Sequence, residues 1–490
     1  MLKKWLCVAC SLAIALTAVG CGKAKTSSGT DSENTGGGDF MSFSNATSDT
    51  SNASTTSGNN STGIPQGNVS TDGSGNVQVK VERPDEPERQ ESVLANKNYK
   101  GKNFKILYWY TPDDSVERKV KAFNKAHNAN LKIEIVNEDP NVSMAKSIAS
   151  GKPYDVVANH GDFFPQTIFQ DIYEPLESYI SKDDMYSSSN PKNGGLLSTV
   201  NDRFAWGGHY YALGSAKSIY QNLIYYNKKL FKESGLEDPW ELYKKGQWNW
   251  DKVKEMSKKV TDLANGVAFF TVAGLNSWNT INAVEGISFK DGVYSENIAS
   301  ERFIQSAQAY KDTFLGNDAM ALVAEGDPFM SGKLYLNMNV TDSYTLYANK
   351  VKVSSAFGRK VENLGTVPVP YGPLNTEKKY PGHAAQGYSA TKGCSDPSVA
   401  ACYALFESRW TDNSSTTAKV PTEVLTEVQT LFANNGFLGY SGFKDSSGNS
   451  YHSIVNDMGS KIRTGADVVQ TINNNRQVIA NAIANSTKGK

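Results

Sequence analysis

Trp109, Asp113, Asn159 and Asp162 set an indole beside two carboxylates and an amide, each just past a run of apolar residues. Flat aromatic faces pack on the C–H surface of a polyhydroxylated molecule, while carboxylates and amides exchange hydrogen bonds with its hydroxyls. Such a set holds a ligand. Groups that would transform one are not assembled. His127, His160, His209, His383 and His452 are scattered, and none forms a two-histidine zinc helix. No G-x-S-x-G elbow occurs. Gly332-Lys333 is followed by Leu334, so there is no P-loop. His160 and Asp162 could share a metal, but they read as a polar loop, and neither metal nor cofactor is expected.

The elements that must position these residues follow from periodicity. Phe104 to Tyr110 reads as a strand, and Val116, Val120, Phe123 and Ala126 recur at helical spacing behind Asp113-Asp114-Ser115 as cap. Leu131, Ile133 and Ile135 alternate with charged residues as a second strand. Strand, helix and strand within about 35 residues make a βαβ unit with parallel strands. A helix over Ser143 to Ser150 leads to a third, buried strand at Asp155 to Ala158, and a helix carrying Ile168, Ile172 and Leu176 follows. Ligands of open parallel sheets bind outside the carboxyl ends of the strands. Trp109 and Asp113 end the first strand, Asn159 and Asp162 the third, so all four belong to one sheet edge. Further on, Gly207-Gly208 reads as a hairpin turn, Lys228 to Ser234 as a helix ending at Gly235, and Trp250 as a helix start capped by Asn249. Trp248 and Trp250 read as core.

A chain of 490 residues exceeds one hydrophobic core, so two or more domains are expected. Lys+Arg and Asp+Glu both number 50, and no basic field exists to recruit nucleic acid. Lys3 and Lys4 precede an apolar stretch, Leu6 to Val19, too short to span a bilayer comfortably. The break Ala18-Val19-Gly20-Cys21 resembles the bacterial lipobox, whose cysteine is lipidated and becomes the N-terminus. Gly22 to about Val79 is rich in Ser, Thr, Asn and Gly, and a charged run continues it to Glu91. Such sequence cannot bury enough surface to fold, and about 75 flexible residues reach roughly 45–50 Å. Cys394 and Cys402 flank the helix start Asp396-Pro397 beyond comfortable disulfide reach, so both are expected as free thiols.

Several segments, in order, resemble the maltose-binding-protein-like extracellular solute-binding proteins of family 1, the sugar-capturing subunits of ABC importers. They are Ala149-Ser-Gly-Lys-Pro-Tyr-Asp155, Ile172-Tyr-Glu-Pro-Leu176, Tyr211-Ala-Leu213, Tyr225-Tyr-Asn227-Lys-Lys-Leu-Phe231 with Gly235-Leu236 and Pro239, and Trp250. Phe329-Met-Ser-Gly-Lys333, Val367-Pro-Val-Pro370 and Gly387-Tyr-Ser-Ala390 complete them. The likeness spans about residues 103–415. Each piece is short; their order and spacing carry the likeness. Gly214 stands where the family often has proline after "Yal", and an insert lengthens Glu237 to Gln247.

The resemblance implies an α/β, two-lobed periplasmic-binding-protein-like fold (type II), with the ligand cleft between lobes joined by crossing strands. Carried onto this chain, residues 1–20 are a lipoprotein signal peptide and 21–100 the lipidated Cys21 with a disordered tether. Residues 101–219 and 375–412 make the N-terminal lobe, and 220–374 and 413–490 the C-terminal lobe. Trp109 and Asp162 match cleft positions, with Asp113 and Asn159 beside them. Tyr220 and Gln221 sit in the crossing strand, and Trp278 falls in a second-lobe stretch that supplies a stacking ring. Asn339 and Asp342 lie in a loop facing the cleft, and Tyr388 lies near the return crossing. The implied function is capture of a sugar or oligosaccharide and delivery to ABC permease subunits by a monomeric binding protein, not an enzyme, lipid-anchored on the extracytoplasmic face of the cell membrane. A secreted glycoside hydrolase would also present carboxylates and aromatics in a cleft, and a surface glycan-binding or sensor lipoprotein would share the fold. Sugar turnover separates the first alternative, and neighbouring genes the second.

Overall fold

The computed structural model describes residues 84–112, 114–136, 138–161, 164, 171–189, 194–272, 274–290, 293–315, 327–412, 419–440 and 442–487, with the backbone of 69–71 and 77–79. At residues 289, 290 and 293 it describes the backbone alone. The leader, Cys21 and most of the tether lie outside the described residues, as do Asp113 and Asp162.

The strands that position the site are β1 (Asn103–Tyr108), β2 (Asn130–Ile135), β3 (Val156–His160), β4 (Ile219–Asn227), β5 (Ala268–Thr271), β6 (Leu334–Val340), β7 (Leu364–Pro368) and β8 (Tyr380–Thr391). The helices that matter here are α1 (Asp114–His127), α2 (Pro140–Ala149), α3 (Leu275–Ile281), α4 (Ser398–Arg409) and α5 (Tyr451–Arg463). Val116, Val120 and Phe123 recur on one face of α1 and are buried, so the helix must lie on a sheet. Its two flanking strands, β1 and β2, run parallel because a whole helix separates them. β3 joins β1 in parallel on the other side. The fourth strand of this sheet, β8, is antiparallel to β3 and comes from far along the chain, pairing Gln386 with His160 and Ser389 with Val157.

A second set of strands forms around β4, whose later half lies between antiparallel β6 and β7. β5 adds to β6 in parallel. β4 and β8 pair at Gly382–Gln221 and Ala385–Ile219 with an irregular step between those pairs, which joins the two sets of strands into one ten-stranded sheet. The step interrupts the ladder between these two strands. β4 is buried along its whole length except at half-buried Tyr220.

Three expectations need correction. The tether does not run unstructured to residue 100. Lys182 N donates to Arg89 O at 2.9 Å and Asp183 N to Gln90 O at 3.1 Å, and Leu94 and Tyr99 are buried in the first-lobe core with Phe104 and Phe123. Further back, Val69–Thr71 and Val77–Val79 pair as a hairpin. Two apolar side chains in a polar run were enough to anchor the segment. Secondly, Ile172 and Leu176 do not share a helix; they flank the two-residue strand Tyr173–Glu174, which pairs with the end of β8. Thirdly, some proposed ligand contacts are core residues, as described below.

The Gly207-Gly208 turn forms as read, joining Ala205–Trp206 to His209–Tyr210, with both glycines at positive φ. Asn249 Oδ1 accepts from Lys252 N at 2.9 Å, capping Trp250–Val260. Trp248 and Trp250 are buried. Cys394 and Cys402 are free thiols, and burial pushes both up to about 12. Among the described residues no helix is long and apolar enough to cross a membrane.

Candidate functional site

At the carboxyl ends of β1 and β3 the chain leaves the first-lobe sheet with ring-bearing side chains. Trp109 follows β1 and is half-buried, as is Tyr110 beside it; their ring centroids are 5.0 Å apart, edge to face. His160 ends β3 and lies 5.6 Å from Trp109 and 6.0 Å from Tyr220 of the crossing strand β4. Gln386, opposite His160 in the ladder, donates from Nε2 to Tyr220 Oη. The row Trp109, His160, Tyr220 and Gln386 therefore runs from the first lobe onto both crossing strands. All four are only partly covered.

The second lobe meets this row at the carboxyl end of β6. Asp342 is exposed, and its charge reaches the Tyr220 phenol, whose proton is held well above the usual tyrosine range by burial first and by Asp342 next. Asn339 is half-buried and committed locally: Nδ2 donates to Tyr347 Oη at 2.9 Å, and Oδ1 accepts from Val340 N and Ser343 Oγ at 2.8 and 2.9 Å. A further polar group gathers where α3 begins. Asn456 of α5 accepts from Asn276 N at 3.1 Å, which satisfies an amide that N-cap Gly274 has no side chain to serve. His452 lies between the amides of Asn276 and Asn456, at 3.1 and 2.9 Å, and edge-on to His383 of β8 at 5.6 Å. Among the described residues no group of three or more His, Cys, Asp or Glu could hold a metal ion.

Four proposed contacts belong elsewhere. Trp278 is fully buried, its Nε1 donates to Ser306 O at 3.0 Å, and its ring meets Trp250 edge-on at 5.2 Å. α3 turns Trp278 into the core and leaves Asn276 half-exposed. Tyr388 is buried on the first-lobe sheet, with Oη donating to Glu407 Oε1 at 2.7 Å. Asn159 is buried and donates to Ser389 Oγ at 3.0 Å, tying β3 to β8. Gln221 is buried and donates to Ala216 O. Trp109 and Tyr220 are half-buried and Asp342 is exposed, while Asn339 lies within β6 and not in the loop after it.

His160, read as part of a polar loop, ends β3 instead, and neither it nor Tyr110 or Gln386 was singled out as a ligand contact. Strand alternation past Ala158 places His160 on that residue's face, so His160 was within reach of a pattern argument. Gln386 becomes visible only once the register of β8 on β3 is known.

This architecture has relatives. The bacterial extracellular solute-binding protein family matches residues 110–401, more than half of the 490-residue chain. No curated protein matches in sequence. Among solved structures, an extracellular solute-binding protein from Staphylococcus aureus, in complex with maltose, superposes with a TM-score of 0.56 at 14% identity, covering 78% of this chain and 97% of that one. The galacto-N-biose-/lacto-N-biose I-binding protein of the ABC transporter from Bifidobacterium longum, in complex with lacto-N-biose, gives 0.55 at 13% identity, with 80% and 98% covered. An ABC substrate-binding protein from Listeria monocytogenes, in complex with cycloalternan, gives 0.52 at 17% identity, with 78% and 99% covered. At such identities the likeness is one of fold. It is the family match across the greater part of the chain, continuous through both crossing strands, that makes this protein a member of the bacterial extracellular solute-binding proteins.

Proposed function

We propose that the chain captures a sugar or oligosaccharide between its lobes and delivers it to an ABC importer, as a lipoprotein anchored through Cys21. The observation that supports it most is the row of partly covered rings, Trp109, His160 and Tyr220, ending on the Gln386 amide at the seam. Rings offer faces to C–H surfaces, and the amide with Asp342 offers partners to hydroxyls. The solved relatives with maltose, lacto-N-biose and cycloalternan support the same ligand class. Asp113 and Asp162 remain part of this reading at the ends of the first and third strands, and the lobes divide at 101–219 with 375–412, joined by the packed residues 84–100, and 220–374 with 413–490. Permease subunits are the partners, and the protein works as a monomer.

A thermal-shift screen over a sugar panel tests this. A ligand at 100 times its Kd stabilises by about 2.7 kcal/mol. Trp109→Ala removes a ring face, and about 60 Å² of lost contact at about 25 cal/mol per Å² is about 1.5 kcal/mol, or about 10-fold in affinity. Asp162→Ala should weaken binding roughly 10- to 150-fold, because a hydrogen bond to a charged group contributes about 1.5–3 kcal/mol. A panel without any shift, or wild-type affinity in both variants, places the ligand class or the site elsewhere. The anchor has its own test: the mature N-terminal peptide should carry acyl mass on Cys21, and an unmodified Cys21 rules the anchor out.

A further inference from the structure

We propose that Glu407 is a positioning residue that clamps the first-lobe ends of both crossing strands and so sets the range over which the lobes swing. The inference rests on the proposed capture of a ligand between the lobes. Glu407 belongs to α4, on the first lobe, and its side chain is 12% exposed. Its two carboxylate oxygens reach different strands. Oε1 accepts from Tyr388 Oη of β8 at 2.7 Å, and Oε2 accepts from Ser218 Oγ at 3.1 Å. Ser218 immediately precedes β4. The charge is balanced by Lys119 of α1, whose Nζ pairs with Oε1 and donates to Tyr388 Oη at 3.3 Å.

The geometry is one-sided. Backbone bonds add to it on the same side: Leu213 and Tyr388 exchange N–H···O bonds of 3.1 and 2.8 Å, and Ser215 N donates to Ser218 Oγ at 3.0 Å. A few residues on, the ladder between the crossing strands is broken between the Gly382–Gln221 and Ala385–Ile219 pairs. Both strands therefore enter the irregular step from a fixed base, and bending is confined to the step. A buried ion pair is weak evidence for net stability, and its best-attested use is to fix a geometry. Here the geometry it fixes is the root of the hinge.

The test measures the ligand-free protein. Spin labels on Lys121→Cys of α1 and Lys352→Cys beyond the second-lobe strand β6, in a Cys394→Ser, Cys402→Ala background of the full mature chain, report the distance between lobes. Ser218→Ala keeps the ion pair and removes the bond from Glu407 to the turn that leads into β4, together with the acceptor of Ser215 N. It should broaden the distance distribution, changing the ratio of open to closed forms about 5-fold, the equivalent of one hydrogen bond. Ser218→Thr, which keeps the hydroxyl, should restore the wild-type distribution, and Glu407→Gln should shift it at least as far as Ser218→Ala. If Glu407→Gln does not fold, Ser218→Ala decides alone. Wild-type distributions in Ser218→Ala overturn the clamp, and so does equal broadening in Ser218→Thr. Because no ligand is present, failure of the sugar reading in the thermal-shift screen leaves this result standing.

Discussion

Trp278→Ala should lower unfolding stability by about 3–5 kcal/mol, the range for removing a large aromatic side chain from a packed core. The indole is fully buried between Trp250 and Tyr310, at ring distances of 5.2 and 6.2 Å, and its N–H is satisfied by Ser306 O. Deleting it opens a cavity and removes the indole's bond to that carbonyl, which lies within the helix Glu301–Leu315. Urea unfolding of ligand-free protein measures the loss, and titration of the folded variant with the best sugar measures affinity. Unchanged stability with lost affinity would return the ring to the cleft wall. Asn276→Ala is the matching control, since its side chain touches His452 and is half-exposed rather than packed.

The contrast between these two residues shows what was legible. The segment Gly274-Leu-Asn-Ser-Trp was singled out from its place in the order of segments. Which side chain faces outward depends on how a seven-residue helix is rotated against its neighbours, and one short helix has too few turns to declare that. The βαβ unit was readable for the opposite reason: α1 repeats its apolar face three times, and β2 alternates. Gly214, noted as a departure from the family pattern, has a physical cause. A Cβ there would stand 2.7 Å from Gln386 O and 2.8 Å from Val200 Cγ1, so the chain before β4 passes too close to β8 for any side chain. That contact joins residues far apart in sequence, which no local pattern reports. The same is true of residues 84–100, where a polar composition hid the two side chains, Leu94 and Tyr99, that fasten the segment to the first lobe.

Lys119→Met should be comparably damaging at neutral pH. Removing one partner of a buried pair leaves the other charge uncompensated, at a cost of about 3–5 kcal/mol. Burial by itself pushes the Glu407 carboxyl up, but the Lys119 charge and the bonds from Lys119, Tyr388 and Ser218 outweigh it and hold the carboxyl below its usual range. A carboxyl depressed in the folded state contributes stability above its unfolded pKa and loses it as pH falls through the folded value. In the variant, only the Tyr388 and Ser218 bonds still oppose burial, and the carboxyl moves up from its wild-type value. Its penalty is then present at neutral pH and disappears as the group protonates. The gap between wild type and variant should therefore be widest near pH 7 and narrow below roughly pH 4. Chemical unfolding across that window measures it. A gap that stays constant with pH would mean that lost packing of the lysine stem, and not charge, sets the cost.

The pairing of β3 with β8 also governs the order in which the chain can be completed. His160 meets Gln386 across the ladder, and the first-lobe core is finished by Val399, Cys402 and Tyr403 of α4. A chain stopped before Tyr380 leaves one edge of β3 bare and that core uncovered on one side. Non-local pairing of this kind is slow to form, because the loop between the partners must close before any contact rewards it. A chain emerging from its N-terminus first would hold the first lobe open until the last quarter of its length arrived. That delay leaves the unpaired edge of β3, in the unfinished chain, as the place where a wrong strand can add.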